Sequence, residues 1–321
     1  MNSQLTTTKR QRDWAYEATP VEKLDRQQTV SAAVLRWGSA FLAMSKLRMV
    51  VMIWVTILFG YFLATGFVLV APFKLVMTLL FSGLTASGSF ILNQYLEIEV
   101  DRKMPRTRFR PLPRGLVSPS TALFGGLIFM GIGVFGLSLF SGFLPTLLTA
   151  FIGFSYVWVY TPLKRVTWLN TTVGAIPGAI PPMIGWSLAR EQLDLVAWLL
   201  FLVMFLWQHP HFYAIGWLYR KDYKLGGIRI LPGSEGAFWM SVQTIFFAAV
   251  MIPATWSLYF LGLTGDIYFI GVSLIGLLFL GHSMIFSIKK TDAIARQLLF
   301  SSLLYLPVFL LLLSIDSQFL V

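Results

Sequence analysis

Residues 81–113 read FSGLTASGSFILNQYLEIEVDRKMPRTRFRPLP. An apolar, small-residue run turns charged at Asn93 with no linker between, as a helix does where it leaves a hydrocarbon layer. Asn93, Glu97 and Asp101 are spaced by four. At roughly 100° per residue they drift only about 80° and stack at about 6 Å intervals, so they share one helix face. Arg102, Lys103, Arg106, Arg108, Arg110 and Arg114 follow at once. Hard oxygen ligands beside guanidinium groups suit a Mg²⁺-diphosphate, the carboxylates holding the metal and the cations taking phosphate oxygens. The basic cluster alone reads equally well as a topology signal beside a span. Three oxygen-bearing side chains on one face imply a ligand or a partner.

The rest of the chain supports a membrane setting. Of 321 residues, 56% are hydrophobic and only 12% charged, which does not describe a soluble domain. Apolar runs near 20 residues recur, the length a helix needs to cross the bilayer. They predict an all-α integral membrane protein of about nine transmembrane helices around a central cavity opening to the cytoplasmic face. The spans are placed at about 47–66, 72 into the opening motif, 120–139, 145–160, 170–188, 195–216, 238–260, 267–288 and 297–315. Residues 1–46 read as a cytoplasmic, partly disordered segment, with an amphipathic surface helix over 31–45. Residues 47–321 form the polytopic domain. No cleavable signal peptide is expected, because the first apolar run starts after about 45 residues. Cysteine is absent, which excludes thiolate metal sites and a Cys nucleophile. The net charge of +11 reflects cytoplasmic loops rather than nucleic-acid binding.

With the N-terminus inside, the inner segments collect 23 of the 25 Lys and Arg, leaving only Lys74 and Arg190 outside. This alternation places the N-terminus in the cytoplasm. It also brings three loops to one face: the opening motif, YTPLKR at 160–165, and WQHPHFYAIGWLYRKDYKLGGIRILP at 207–232.

These three segments together resemble the UbiA-type intramembrane prenyltransferases, and within them the heme O synthase (protoheme IX farnesyltransferase) branch. The superfamily's Asn-x3-Asp-x3-Asp stands here as Asn93, Glu97 and Asp101. The heme-branch run appears as Asp101–Met104, Arg106-Thr107 and Arg110-Pro111. YTPLKR, Asn170, Gly174, Gly178, Pro181-Pro182 and Gly185-Trp186 match a second block. Trp207-Gln208, Pro210-His211-Phe212, Asp222-Tyr223, Gly227-Ile228 and Leu231-Pro232 match a third. The resemblance covers roughly residues 45–315. Glu97 stands where the family usually has Asp, Pro105 where an acid is common, and His211 aligns with an aspartate of other branches. The missing middle acid of the third block favours a heme acceptor over quinone or chlorophyll precursors.

The resemblance implies farnesyl transfer from farnesyl diphosphate to a vinyl group of heme B, water adding to give the hydroxyl of heme O. It implies Mg²⁺ on Glu97 and Asp101, with Asn93 holding a second ion, a water or a phosphate. Lys103, Arg106, Arg110, Lys164 and Arg165 are phosphate candidates, and Asp222 assists from across the bundle. Tyr160, Phe212 and Tyr213 are candidates for the wall around an allylic cation. Of the three histidines, His211 is assigned to the acceptor's surroundings, and the solitary His282 reads as a packing residue. The implied setting is the lipid bilayer of the inner (plasma) membrane, with contacts to heme A synthase or oxidase assembly proteins. A transporter is disfavoured, because no charge lies well inside a span and no half-to-half repeat is visible. A purely structural assembly factor would not need the metal-diphosphate constellation.

Overall fold

Helix starts follow from local chemistry. Pro119 opens one helix behind Ser118, whose hydroxyl accepts the Thr121 amide. Asp194 accepts the amides of Val196 and Ala197, and Thr291 accepts that of Ile294. The computed structural model describes residues 38–231 and 236–317. The expectation of disorder in the first thirty residues, and residues 31–37 of the surface helix, lie outside these. Residues 38–45 are helical and bury Ala40 and Met44 against Ile91, Leu112, Val117 and Ala122.

The long helices are α1 (Leu47–Ala64), α2 (Pro72–Leu96), α4 (Pro119–Phe140) and α5 (Phe143–Leu163), then α8 (Leu195–Leu218), α10 (Gly236–Phe260), α11 (Asp266–Lys289) and α12 (Asp292–Asp316). Among the described residues these eight are long and apolar enough to cross a membrane. Short α3 (Ile98–Lys103) follows α2, and short α9 (Arg220–Gly226) follows α8. The expected fifth span is not one helix. It is α6 (Asn170–Ala179) and α7 (Pro181–Arg190), joined at Ile180. Pro181 has no N–H to continue the ladder, so two ten-residue pieces replace one span. They still run between the two ends of the bundle: Asn170 bonds the Arg229 carbonyl at one end, and Arg190 the Ala64 carbonyl at the other.

Packing uses small residues, as association in lipid requires. Gly60 of α1 faces the Pro182 carbonyl, and Gly185 of α7 faces the Ile57 carbonyl, each too closely for a Cβ. Gly185→Ala is therefore expected to lower the unfolding temperature in detergent, at a cost of about 1–3 kcal/mol or more. Gly131→Ala, with open space around it, should be neutral. Equal thermal stabilities for the two variants would refute this contact. Outward faces carry a belt of exposed apolar side chains, among them Phe135, Leu274 and Phe300. Buried aromatics such as Tyr268, Phe279 and Phe309 fill the α8, α10, α11 and α12 half.

Candidate active site

α2 ends at Leu96, and Glu97 takes φ −104°, ψ 11° before α3 begins. The helix therefore hitches at Glu97 rather than running straight through the motif. The i→i−4 bonds survive the hitch: Glu97 N to Asn93 O at 3.1 Å, and Asp101 N to Glu97 O at 2.8 Å. All three motif residues consequently stay on one face, as their spacing requires. All three are buried.

Burying a carboxylate is tolerable only when it is paired, and both acids are. Behind α3 the chain folds back, with the Thr107 hydroxyl on the Asp101 carbonyl at 3.0 Å. This brings the Arg110 Nη1 to both Asp101 oxygens, at 2.9 and 2.8 Å. Burial pushes the Asp101 pKa above the ordinary carboxyl value, against the opposing effect of the Arg110 charge and hydrogen bond. Glu97 Oε1 accepts from Lys164 Nζ at 3.0 Å, and the same ammonium lies 4.5 Å from the centre of the Tyr160 ring.

Tyr160 and Lys164 are presented by a widened, π-helical turn over Ser155–Tyr160 at the end of α5. Such turns recur at functional sites. The Thr161 hydroxyl donates to the Tyr156 carbonyl at 2.8 Å, so its oxygen is left to accept from the Asn93 Nδ2 at 2.9 Å. That bond ties the first block to the second. Arg165 donates to the Leu96 carbonyl at 3.1 Å. The third block is strapped on by the Arg229 amide to the Lys164 carbonyl at 2.8 Å, and by Gly226 against Met104 and Val100. Arg106 lies 4.8 Å from the Tyr219 ring centre and 6.0 Å from that of Tyr223. The three blocks thus meet at one end of the bundle.

Other residues singled out from the sequence fall outside this cluster. Lys103 is exposed. Asp222 is half-buried on α9, and no salt bridge joins it to a described residue. His211 bonds Ser302 of α12 at 2.8 Å and stacks on Trp207. Phe212 is 40% exposed. Tyr213 is buried and donates to Gln243 of α10. His209, fully buried, bonds the Phe205 carbonyl at 2.8 Å and stacks on Phe247. His282 turns onto the Leu278 carbonyl of its own helix. Tyr156, Thr161, Tyr219 and Tyr223 join this cluster without having been assigned a role from the sequence. Thr161 and Tyr223 stand inside the second and third blocks, and Tyr156 lies four residues before Tyr160.

The donor set fits a hard divalent ion that shares its shell with a bound anion. Among the described residues no group of three His, Cys, Asp or Glu could hold a metal alone. Mg²⁺ characteristically takes one or two carboxylates and completes its shell with water and phosphate oxygens, which Glu97 and Asp101 can serve.

Several known proteins are similar to this chain. The sequence profile described as the UbiA prenyltransferase family matches residues 53–304. A protoheme IX farnesyltransferase of Solibacter usitatus is 41% identical over 244 residues, covering 76% of this chain and 84% of that protein. Another, from Aquifex aeolicus, is 36% identical over 269 residues, covering 84% and 91%. Among solved structures, one of digeranylgeranylglyceryl phosphate synthase superposes with a TM-score of 0.69 at 15% identity, over 86% of this chain and 97% of that one. A UbiA homologue from Archaeoglobus fulgidus bound to GPP and Mg²⁺ gives 0.59 at 16%, over 86% and 99%; at such identities the likeness is one of fold. Profile, relatives and fold agree on one assignment: this multi-pass membrane chain belongs to the UbiA prenyltransferase family.

Proposed function

We propose that the protein transfers the farnesyl group of farnesyl diphosphate to a vinyl carbon of heme B, giving heme O. The observation that carries the reading is the cluster of two buried carboxylate–cation pairs, Glu97 with Lys164 and Asp101 with Arg110. It stands in a chain whose curated relatives, at 36–41% identity, are protoheme IX farnesyltransferases. Each pair is a hinge for anion exchange. Lys164 and Arg110 turn from carboxylate to phosphate oxygens as the diphosphate enters; Glu97 and Asp101 would then hold Mg²⁺, and Asn93 a second ion, a water or a phosphate. Bound Mg²⁺ supplies charge neutralisation on the diphosphate.

The chain's own residues then stabilise the leaving group, which is the main electrostatic task. The C1–O bond breaks and both electrons leave with the diphosphate. The vinyl carbon attacks the allylic cation, and the cation left on the side chain takes the oxygen of water, which loses one proton. Lys103, Arg106 and Arg165 supply positive potential at the entrance, Asp222 assists from the third block, and Tyr160 faces the developing cation. His211 belongs to the acceptor's surroundings.

Residues 1–46 act as a cytoplasmic segment ahead of the 47–321 catalytic domain. The protein sits in the inner (plasma) membrane with the clustered end toward the cytoplasm, where the basic residues gather. There it passes its product to heme A synthase or oxidase assembly proteins.

The test is acceptor choice. Purified protein in lipid, given farnesyl diphosphate and Mg²⁺, should convert heme B to a heavier, more strongly retained heme and leave 4-hydroxybenzoate untouched. The opposite preference would move the chain to a quinone-precursor branch. Glu97→Asp should keep turnover within about tenfold, since a hard oxygen remains at the site. Loss of all turnover in that variant would show that the longer reach to Lys164 is essential.

A further inference from the structure

Lys46 is the last residue before α1, in a left-handed conformation at φ 51°, ψ 52°. That backbone is unusual outside glycine, asparagine and aspartate. It turns the side chain back into the bundle, where the ammonium lies 5.2 Å from the centre of the Phe90 ring. Phe90 meets Tyr156 edge-on, with ring centres 5.7 Å apart. Tyr156 meets Tyr160 at 5.4 Å, and Tyr160 carries the Lys164 ammonium. A continuous strip of three rings therefore has an ammonium on the ring at each end. Tyr156 and Tyr160 stand four residues apart on the π-helical turn, so their rings are neighbours on one face of the helix. Tyr156 and Tyr160 are only half-buried, so part of each ring remains accessible.

We propose that Phe90, Tyr156 and Tyr160 form the wall that stabilises the allylic cation, and that Lys46 is a second ammonium that leaves this wall for the diphosphate when substrate binds. The proposal rests on the prenyl-transfer reading above and adds the position of the reacting carbon within it. Cations select the electron-rich faces of aromatic rings, and the two lysines mark which faces of this strip do so. Lys46 is short of negative charge where it stands. Burial, then the charges of Arg110 and Lys164, hold its pKa down to about 7 despite Glu97 and Asp101. A diphosphate beside it supplies the missing anion. As the ammoniums swing to the phosphates, the ring faces open to the carbon whose bond to that diphosphate is breaking.

The test replaces Phe90 in the intact, lipid-embedded protein with mono-, di- and trifluorophenylalanine. These keep the shape of the ring while draining its face of negative potential. Diphosphate release from farnesyl diphosphate, with heme B and Mg²⁺ present, reads ionisation; the mass of the heme product reads the acceptor separately. The expected result is a graded fall in kcat, reaching about thirtyfold across the series, with KM for farnesyl diphosphate little changed. Thirtyfold corresponds to the roughly 2 kcal/mol of a desolvated cation–π contact. Lys46→Gln should weaken binding of inorganic diphosphate with Mg²⁺ by about tenfold, the loss of one charge-assisted contact. A kcat that stays flat along the fluorinated series, in protein that still makes farnesylated heme, overturns the cation wall. Unchanged diphosphate binding in Lys46→Gln overturns the movement of the lysine. A graded fall without any farnesylated heme would keep the wall and remove heme as the acceptor.

Discussion

Asp101→Ala is expected to reduce farnesyl transfer on the order of a hundred- to a thousandfold while the protein still inserts and folds. The carboxylate is fully buried and held by a single guanidinium, Arg110. A solvated helix end would not need it, whereas stabilising charge on a leaving group is worth about this much when one contributor is removed. Removing one member of a buried pair costs about 3–5 kcal/mol where the survivor is stranded. Arg110 keeps 26% of its side-chain surface open, so water reaches it and the stability loss falls below that range. Asp101→Asn separates shape from charge: it preserves the packing and the Thr107 bond to the backbone, yet should lose nearly as much turnover. Near wild-type rates in both variants at saturating Mg²⁺ would remove Asp101 from the site.

Lys164→Met should be inactive and clearly less stable as well. It strands Glu97, whose side chain is only 9% exposed and whose partner lies at 3.0 Å. A stranded buried carboxylate costs about 3–5 kcal/mol. Combining it with Glu97→Gln removes the unpaired charge, so the double variant should recover most of the thermal stability. Turnover should not recover, because both the phosphate cation and the metal carboxylate are then missing. Coupling between contacting residues is the quantity such a cycle isolates. A double variant that regained activity along with stability would make the pair structural only.

The sequence made the ends of the bundle readable. Alternation of basic loops predicted that residues 93–113, 160–165 and 207–232 share a face, and contacts among Glu97, Lys164 and Arg229 join them at one end. Length alone does not show that the stretch Asn170–Arg190, which runs between the two ends of the bundle, is divided by Pro181 into two helices. Spacing by four put Asn93, Glu97 and Asp101 on one face, but no pattern revealed the hitch at Glu97 or the commitment of Asn93 to Thr161. In the third block, His211 is read into the acceptor's surroundings and Tyr213 into the wall around the cation. On a helix His211 and Tyr213 stand about 200° apart, and they do part, toward Ser302 and Gln243. Lys46 was invisible because its placement depends on a left-handed backbone torsion that no residue-type pattern signals. Tyr156 stands four residues before Tyr160, a spacing that places both on one helix face, but nothing in the sequence distinguishes it from the many aromatics that only pack.

The central claim is that both the farnesyl group and a water oxygen are added to heme B at the Glu97–Asp101 cluster. It is tested most directly by a double-label turnover of the wild-type protein in lipid. Heme B, Mg²⁺ and farnesyl diphosphate carrying a deuterated farnesyl chain are incubated in heavy-oxygen water, and the extracted heme is weighed by mass spectrometry. The account predicts a heme that has gained one deuterated farnesyl chain and one heavy oxygen, formed on the order of a hundred- to a thousandfold more slowly by Asp101→Ala. Recovery of unlabelled heme B beside labelled farnesol, or beside a labelled non-heme acceptor, would contradict it.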